Sequence, residues 1–236
     1  MKTLYKFSIV LFITVCSSSI YAQNSEEARN ISNFKGIRIS SGIDLYVKQG
    51  SVESVRIVGD KDKLEKVRTD KEGDILRIYV ENSKGWFNFD WNNKKVTKAY
   101  VTVKNLNSLS ATGGSDIFSE GKLDLIKLDV RATGGSDIKL DLDTDELTCE
   151  TTGGSDVTLS GTATVFKASA TGGSDLKARN LRTNFCSISS TGGSDAHVWA
   201  EKEISISATG GSDIFHRGNA RVVQSSTSGG SDIHKQ

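Results

Sequence analysis

Apolar and polar residues alternate along most of the chain, and a glycine pair interrupts the alternation at regular intervals. Four residues before each pair stand Leu109, Val130, Cys149, Ala168, Ile188, Ile206 and Ser225; six before it stand Leu128, Leu147, Phe166, Cys186, Ile204 and Val223. Beyond the pair come Ile117, Ile138, Val157, Leu176, Ala196, Ile214 and Ile233, with Leu140, Leu159 and Val198 two positions further on. A period of two is that of a strand with one buried face. The pattern therefore predicts short strands joined by a Gly-Gly corner and by a second turn, such as Gly121-Lys122 or Gly161-Thr162.

Each corner belongs to a heptad that occurs seven times: Ala111-Thr-Gly-Gly-Ser-Asp-Ile117, then copies starting at Ala132, Thr151, Ala170, Ser190, Ala208 and Thr227. The repeat aspartates Asp116, Asp137, Asp156, Asp175, Asp195, Asp213 and Asp232 are separated by 21, 19, 19, 20, 18 and 19 residues. A unit this small cannot bury its apolar face alone, so like columns must stack on like columns about 4.8 Å apart. The expected fold is all-β, a right-handed parallel β-helix (solenoid) with coils of about 19 residues; the hand follows the general preference of parallel crossovers. Propeller blades need about 40 residues each, and leucine-rich repeats carry a leucine-asparagine signature that is missing here.

The regular repeats occupy residues 106–236, and 34–105 read as irregular N-terminal coils forming an end cap. Within them, Phe34 to Gly50 is a degenerate copy, with Gly42, Asp44 and Leu45 in the places of Gly, Asp and Ile. Residues 52–59, 75–81 and 96–103 alternate as strands, and 62–67 suits one helical turn.

Composition sharpens this picture in three places. Of 23 glycines, 14 lie in the seven corners, so glycine is a placed backbone device, and the absence of proline suits strands paired on both sides. The net charge of +1 over 236 residues, with acids and bases interspersed, offers no stripe for nucleic acid. Lys2 and Lys6 precede an apolar run, Phe7 to Val15, and then Cys16-Ser-Ser-Ser-Ile-Tyr-Ala22, the arrangement of a secretory signal peptide over 1–22. Lipidation of Cys16 fits less well, because Val15 stands where a small residue is expected. A mature chain 23–236, a single domain, is then exported to the periplasm, outer surface or medium. No later segment approaches the roughly 20 apolar residues of a membrane helix.

Stacking places one carboxylate per coil along an edge, where like charges in register repel unless compensated. One reading is structural, each Asp accepting hydrogen bonds from backbone N–H groups of its own corner, helped by the serine hydroxyl. The other is a row of cation sites, since Gly-Gly-Ser-Asp-Ile is similar to half of a calcium-binding nonapeptide repeat but lacks the remaining Gly-x-Asp portion. Seven equivalent Ser-Asp pairs do not make one asymmetric catalytic constellation, and most coils lack a histidine base. His197 and His234 share a face two coils apart, about 9–10 Å, too far to share a metal; together with His216 they read as solvated histidines. Cys149 and Cys186 likewise lie two coils apart, beyond disulfide reach, and are expected to be buried free thiols. Residues 81–95 break the pattern by gathering Trp86, Phe87, Phe89 and Trp91 between polar flanks, a candidate partner-binding surface for sugar rings or protein side chains.

The order Ser41-Gly-Ile-Asp-Leu-Tyr-Val47 with Gln49-Gly50, then Val55-Arg-Ile57, Leu76-Arg-Ile78, Val101-Thr-Val103 and Leu109-Ser-Ala-Thr-Gly-Gly-Ser-Asp116 resembles the putative auto-transporter adhesin, head GIN domain family of exported Bacteroidetes-type proteins. The resemblance covers Phe34 to the C-terminus and implies a right-handed β-helix with an adhesive or surface role; it carries no catalytic residues. Three functions are thus in view: a non-enzymatic envelope or adhesion module for a surface glycan or protein ligand, a cation-stabilised spacer in which calcium is the candidate ion, and, by fold analogy alone, a polysaccharide-processing enzyme. The last coil at Ile233 presents an edge that homo-oligomerisation could cover.

Overall fold

The computed structural model describes residues 25–81 and 96–236. The expected signal peptide and the aromatic residues Trp86, Phe87, Phe89 and Trp91 lie outside them. Nine strands form the regular part: β8 (Ser108–Thr112), β9 (Ile117–Thr133), β10 (Asp137–Thr152), β11 (Asp156–Gly172), β12 (Asp175–Gly192), β13 (Ala196–Gly210), β14 (Asp213–Arg217), β15 (Arg221–Gly229) and β16 (Asp232–Lys235). They follow β1 (Ser25–Arg29), β2 (Gly36–Ser40), β3 (Ile43–Gln49), β4 (Ser54–Gly59), the helical turn α1 (Lys61–Leu64), β5 (Val67–Glu72), β6 (Ile75–Val80) and β7 (Thr97–Val103).

Each of β9 to β12 runs through most of a coil and pairs in parallel with its successor, so the repeat becomes a parallel β-solenoid with a rise of about 19 residues per turn. Like sits on like: Asp137 on Asp156, Leu140 on Leu159, Leu147 on Phe166 and Cys149 on Ala168. The columns expected to face inward do so from Leu128 through Ile204 and from Ile117 through Ile214, with Ala168 half-buried. Cross-coil pairs on the outer faces join opposite charges, as in Arg131–Glu150 (2.7 Å) and Arg221–Glu203 (2.6 Å).

The second turn lies elsewhere than expected. Gly121 and Gly161 do take positive φ, but both sit inside continuous strands, beside small register shifts. The inward phase flips instead at adjacent outward residues: Ile126-Lys127, Asp145-Glu146 and their equivalents Thr164-Val165 and Asn184-Phe185. Two successive outward side chains need no glycine, which is why turn composition did not mark this bend.

The cap is not threaded in sequence order. Strand β3 lies between β7 and β9, and β2 lies between β6 and β8. The degenerate copy is therefore the second coil, and the later strands β6 and β7 pack outside it. Both positions demand the same alternation, so Ile37, Ile39, Leu45 and Val47 would satisfy either. Antiparallel strands finish this end: β4 on β7, β1 on β4, and β5 on β6.

At the other end β15 pairs with β13 along one edge only among the described residues. Val223, expected to face inward, is instead 47% exposed, and Val222 beside it 46%.

The corners come in two forms. In the first three, both glycines have positive φ, at 113 and 114, 134 and 135, 153 and 154. In the last four only the first does, at Gly172, Gly192, Gly210 and Gly229. The first glycines also stack closely: a Cβ on Gly192 would stand 3.1 Å from the Gly172 carbonyl oxygen.

Candidate functional site

The serine beside each aspartate is buried, six of the seven completely and Ser231 nearly so. Its hydroxyl ties coils together, and its role follows the corner type. In the early corners it accepts: Ile43 N–H donates to Ser115 Oγ (3.2 Å), Ser115 N–H to Ser136 Oγ (3.2 Å), and Ser136 N–H to Ser155 Oγ (3.1 Å). In the late corners it donates to the preceding coil, Ser174 to the Thr151 carbonyl (3.1 Å), Ser194 to Ala170 (3.0 Å), Ser212 to Ser190 (2.9 Å) and Ser231 to Ala208 (3.0 Å).

The aspartates face outward beside these serines, and their hydrogen bonds also run between coils rather than within one corner. Asp116 Oδ1 accepts from Asp137 N–H (3.0 Å), Asp137 from Asp156 (3.4 Å), Asp195 from Asp213 (3.2 Å) and Asp213 from Asp232 (3.2 Å). The register between strands explains this, because each Asp backbone lies directly over the previous one. Where the corner type changes, Lys177 takes over, its Nζ lying 2.7 Å from Asp156 and 3.4 Å from Asp175. Asp44 extends the ladder by one rung below Asp116 and pairs in register with Lys98. Burial, reinforced by the Asp116 charge and only partly offset by Lys98, pushes the Asp44 carboxyl up to about 6.

Two residues beyond the aspartate runs a second outward column that the inward-facing pattern did not draw out. Tyr100, Tyr46 and Phe118 stack at one end, with centroids 5.1 and 5.3 Å apart, and Arg56 lies 4.6 Å over Tyr100. At the other end His197, Phe215 and His234 stack at 4.6 and 4.8 Å. The two histidines thus share a face two coils apart, as expected. His216 does not behave as a solvated histidine: it is 6% exposed, because an offset of three from Asp213 points inward when Ile214 does. Burial holds both His197 and His216 below the usual imidazole range. Cys149 and Cys186 are buried and free, and burial pushes both thiols up to about 12.

The bend at Ile126, Asp145 and Asn184 forms a concave site that sequence reading missed. It is a groove of about 810 Å³ running across successive coils. Buried Leu125, Thr144 and Ala163 make its floor, while Asp124, Asp143, Thr162 and Arg182 follow one another in register along one wall. Gln49 closes one end by completing the ladder with its side-chain amide: Oε1 accepts from Asp124 N–H (2.8 Å) and Nε2 donates to the Asp124 carbonyl (2.9 Å). Thr162 Oγ1 donates to Asp143 Oδ1 (2.7 Å) and Lys122 lies 3.2 Å from its Oδ2, which together hold that carboxyl below the usual range. Asp145 and Asn184 make no side-chain hydrogen bond among the described residues, so their polar atoms face the groove uncommitted. The signal was available in the exposed pairs that break the alternation.

Residues 33–220 match the model of the family described as putative auto-transporter adhesin, head GIN domain. The chain belongs to this family. Among solved structures it resembles a putative adhesin from Bacteroides fragilis, 23% identical with a TM-score of 0.82, over 92% of this chain and 98% of that one. A putative lipid binding protein from Parabacteroides distasonis is 18% identical with a TM-score of 0.72, over 90% and 96% of the two chains. A putative adhesin from Parabacteroides merdae is also 18% identical, with a TM-score of 0.71 over 91% and 96%. These likenesses show the solenoid fold. No curated protein matches the chain. No helix among the described residues is long and apolar enough to cross a membrane.

Proposed function

We propose that the chain is an exported, non-enzymatic binding module of the cell envelope that holds a surface ligand, a glycan or a protein. The observation that carries this is the bend groove, where Asp124 and Arg182 on the wall and Asp145 and Asn184 at the bend present polar groups beside the exposed apolar side chain of Ile126. Coils repeat about every 4.8 Å, so the wall offers one polar group per coil at intervals comparable to the length of one sugar ring. Such regular, shallow lining suits a chain-like ligand gripped at several points. The family's description as an adhesin supports the same reading.

Catalysis has less support. A glycoside-cleaving site needs a carboxylic acid held protonated near neutral pH, whereas Asp143 is held below the ordinary range by Thr162 and Lys122. A lipid ligand, as named for the Parabacteroides distasonis neighbour, suits this groove poorly, since Ile126 is the large exposed apolar group in it. The aromatic residues Trp86, Phe87, Phe89 and Trp91 are a second candidate contact, proposed from sequence.

The test is a glycan and matrix-protein array probed with the chain beginning at Gln23, with reducing-sugar release measured on every bound glycan. Saturable binding without release is expected; release of reducing ends would overturn the non-enzymatic reading.

A further inference from the structure

The outward columns at the last coil bring a histidine close to two aspartates of successive coils. Asp213 and Asp232 are in register, and His234, two residues beyond Asp232, shares their face. Asp213 Oδ1 accepts the Asp232 N–H at 3.2 Å, which orients its carboxylate along the stack towards the next coil. The His234 ring is held flat on Phe215, with centroids 4.8 Å apart at 16°, and Phe215 in turn lies on His197 at 4.6 Å. One ligand atom from each of Asp213, Asp232 and His234 lies within 4.8 Å of the others.

The same arrangement occurs three coils earlier with a different occupant. There Lys177, two residues beyond Asp175, reaches Asp175 and Asp156, and its ammonium neutralises both carboxylates. At the last coil the His234 ring stands in the place of that lysine, and no lysine or arginine among the described residues pairs with Asp213 or Asp232. His197 is not equivalent, because Asp175, one of the two carboxylates nearest it, is already held by Lys177.

We propose that Asp213, Asp232 and His234 bind one divalent transition-metal ion of the zinc class, which supplies the charge that Lys177 supplies below. Imidazole nitrogen is a good donor to such borderline ions, whereas calcium and magnesium take oxygen ligands. Donors about 2.1 Å from a tetrahedral ion stand roughly 3.4 Å apart, so modest side-chain rotation closes the set. Three protein ligands leave a fourth position for water. The ion would fasten the last coil, β16, to β14 through side chains, adding to their four ladder pairs.

The experiment titrates the untagged chain from Gln23 with Zn2+ in a calorimeter, and with Co2+ for its visible spectrum. One equivalent of each ion is expected, with a tetrahedral cobalt spectrum. His234→Ala and Asp213→Asn should each weaken Zn2+ binding at least tenfold, while His197→Ala should not. All three side chains face outward, so circular dichroism should show the fold retained. Absence of binding, binding unaffected by His234→Ala, or Ca2+ binding as tight as Zn2+ would each overturn the proposal. None of these outcomes bears on the ligand groove, which lies at the other corner of the coil.

Discussion

Lys177 Nζ lies 2.7 Å from Asp156 Oδ2, one coil below it, and so spans the point at which the corners change form. At that step no Asp carboxylate among the described residues accepts the next Asp N–H, and the lysine compensates two neighbouring charges directly. Hydrogen bonding to Asp156 is the main reason its ammonium is held above the usual range. Both partners are substantially exposed, which keeps the contribution to about 0.2–1 kcal/mol. Lys177→Gln should therefore lower Tm by about 1–3 °C at low salt, and the difference should shrink in 1 M salt, as differential scanning calorimetry can check.

The two corner forms make different demands on the second glycine. Gly135 has φ +73, so Gly135→Ala should destabilise by about 1–2 kcal/mol in urea unfolding although nothing lies within 4 Å of the new methyl. Gly193 has ordinary φ and only the Gly172 carbonyl oxygen at 3.7 Å, so Gly193→Ala should stay within about 0.5 kcal/mol of the parent. Equal costs would contradict the assignment of two forms.

Asp44 links stability to pH. Its folded pKa of about 6 exceeds that of the unfolded chain, so the folded state binds the extra proton between roughly pH 4 and 6. Stability from this group is full below pH 4 and falls as pH rises through 6. Because the side chain is about half exposed, the loss is discounted to about 1 kcal/mol. Asp44→Asn should raise Tm by about 2–4 °C at pH 7.5 and converge with the parent near pH 4. A lower Tm at pH 7.5 would contradict the account.

Cys149 and Cys186 should be silent to a thiol reagent in the folded protein at pH 8, since both are buried with thiols pushed up to about 12. Denaturing the unreduced chain from Gln23 should reveal two thiols. A count of zero would mean that the two are oxidised and the register is wrong.

The periodic part of the fold was legible because identical coils make identical demands: Asp137 over Asp156, and Leu147 over Phe166, follow from spacing alone. Most cap strands were legible, and α1 falls within one residue of its expected start, but β1 and β5 were not, since Ser25–Arg29 has no apolar column and Val67 is the one buried residue of Val67–Glu72. The threading of the cap was not, because Val47 and Val101 satisfy the same inward column and only pairing decides that β3 lies inside β7. The Asp ladder was placed correctly, but its hydrogen bonds were assigned within corners, a distinction set by backbone register. The groove escaped notice because its marker is two outward residues in succession, Asp145-Glu146 for instance, with no glycine to draw attention.

The central claim is that the bend groove holds a surface ligand without altering it. The most direct measurement is the Kd of the strongest array ligand for the parent chain, for the double variant Asp145→Ala/Asn184→Ala, and for Trp86→Ala/Trp91→Ala, with the ligand's mass recorded after prolonged incubation. The account predicts at least a tenfold loss of affinity in the groove variant at unchanged Tm, and a ligand recovered intact. Unchanged affinity in the groove variant, or a shortened ligand, would contradict it.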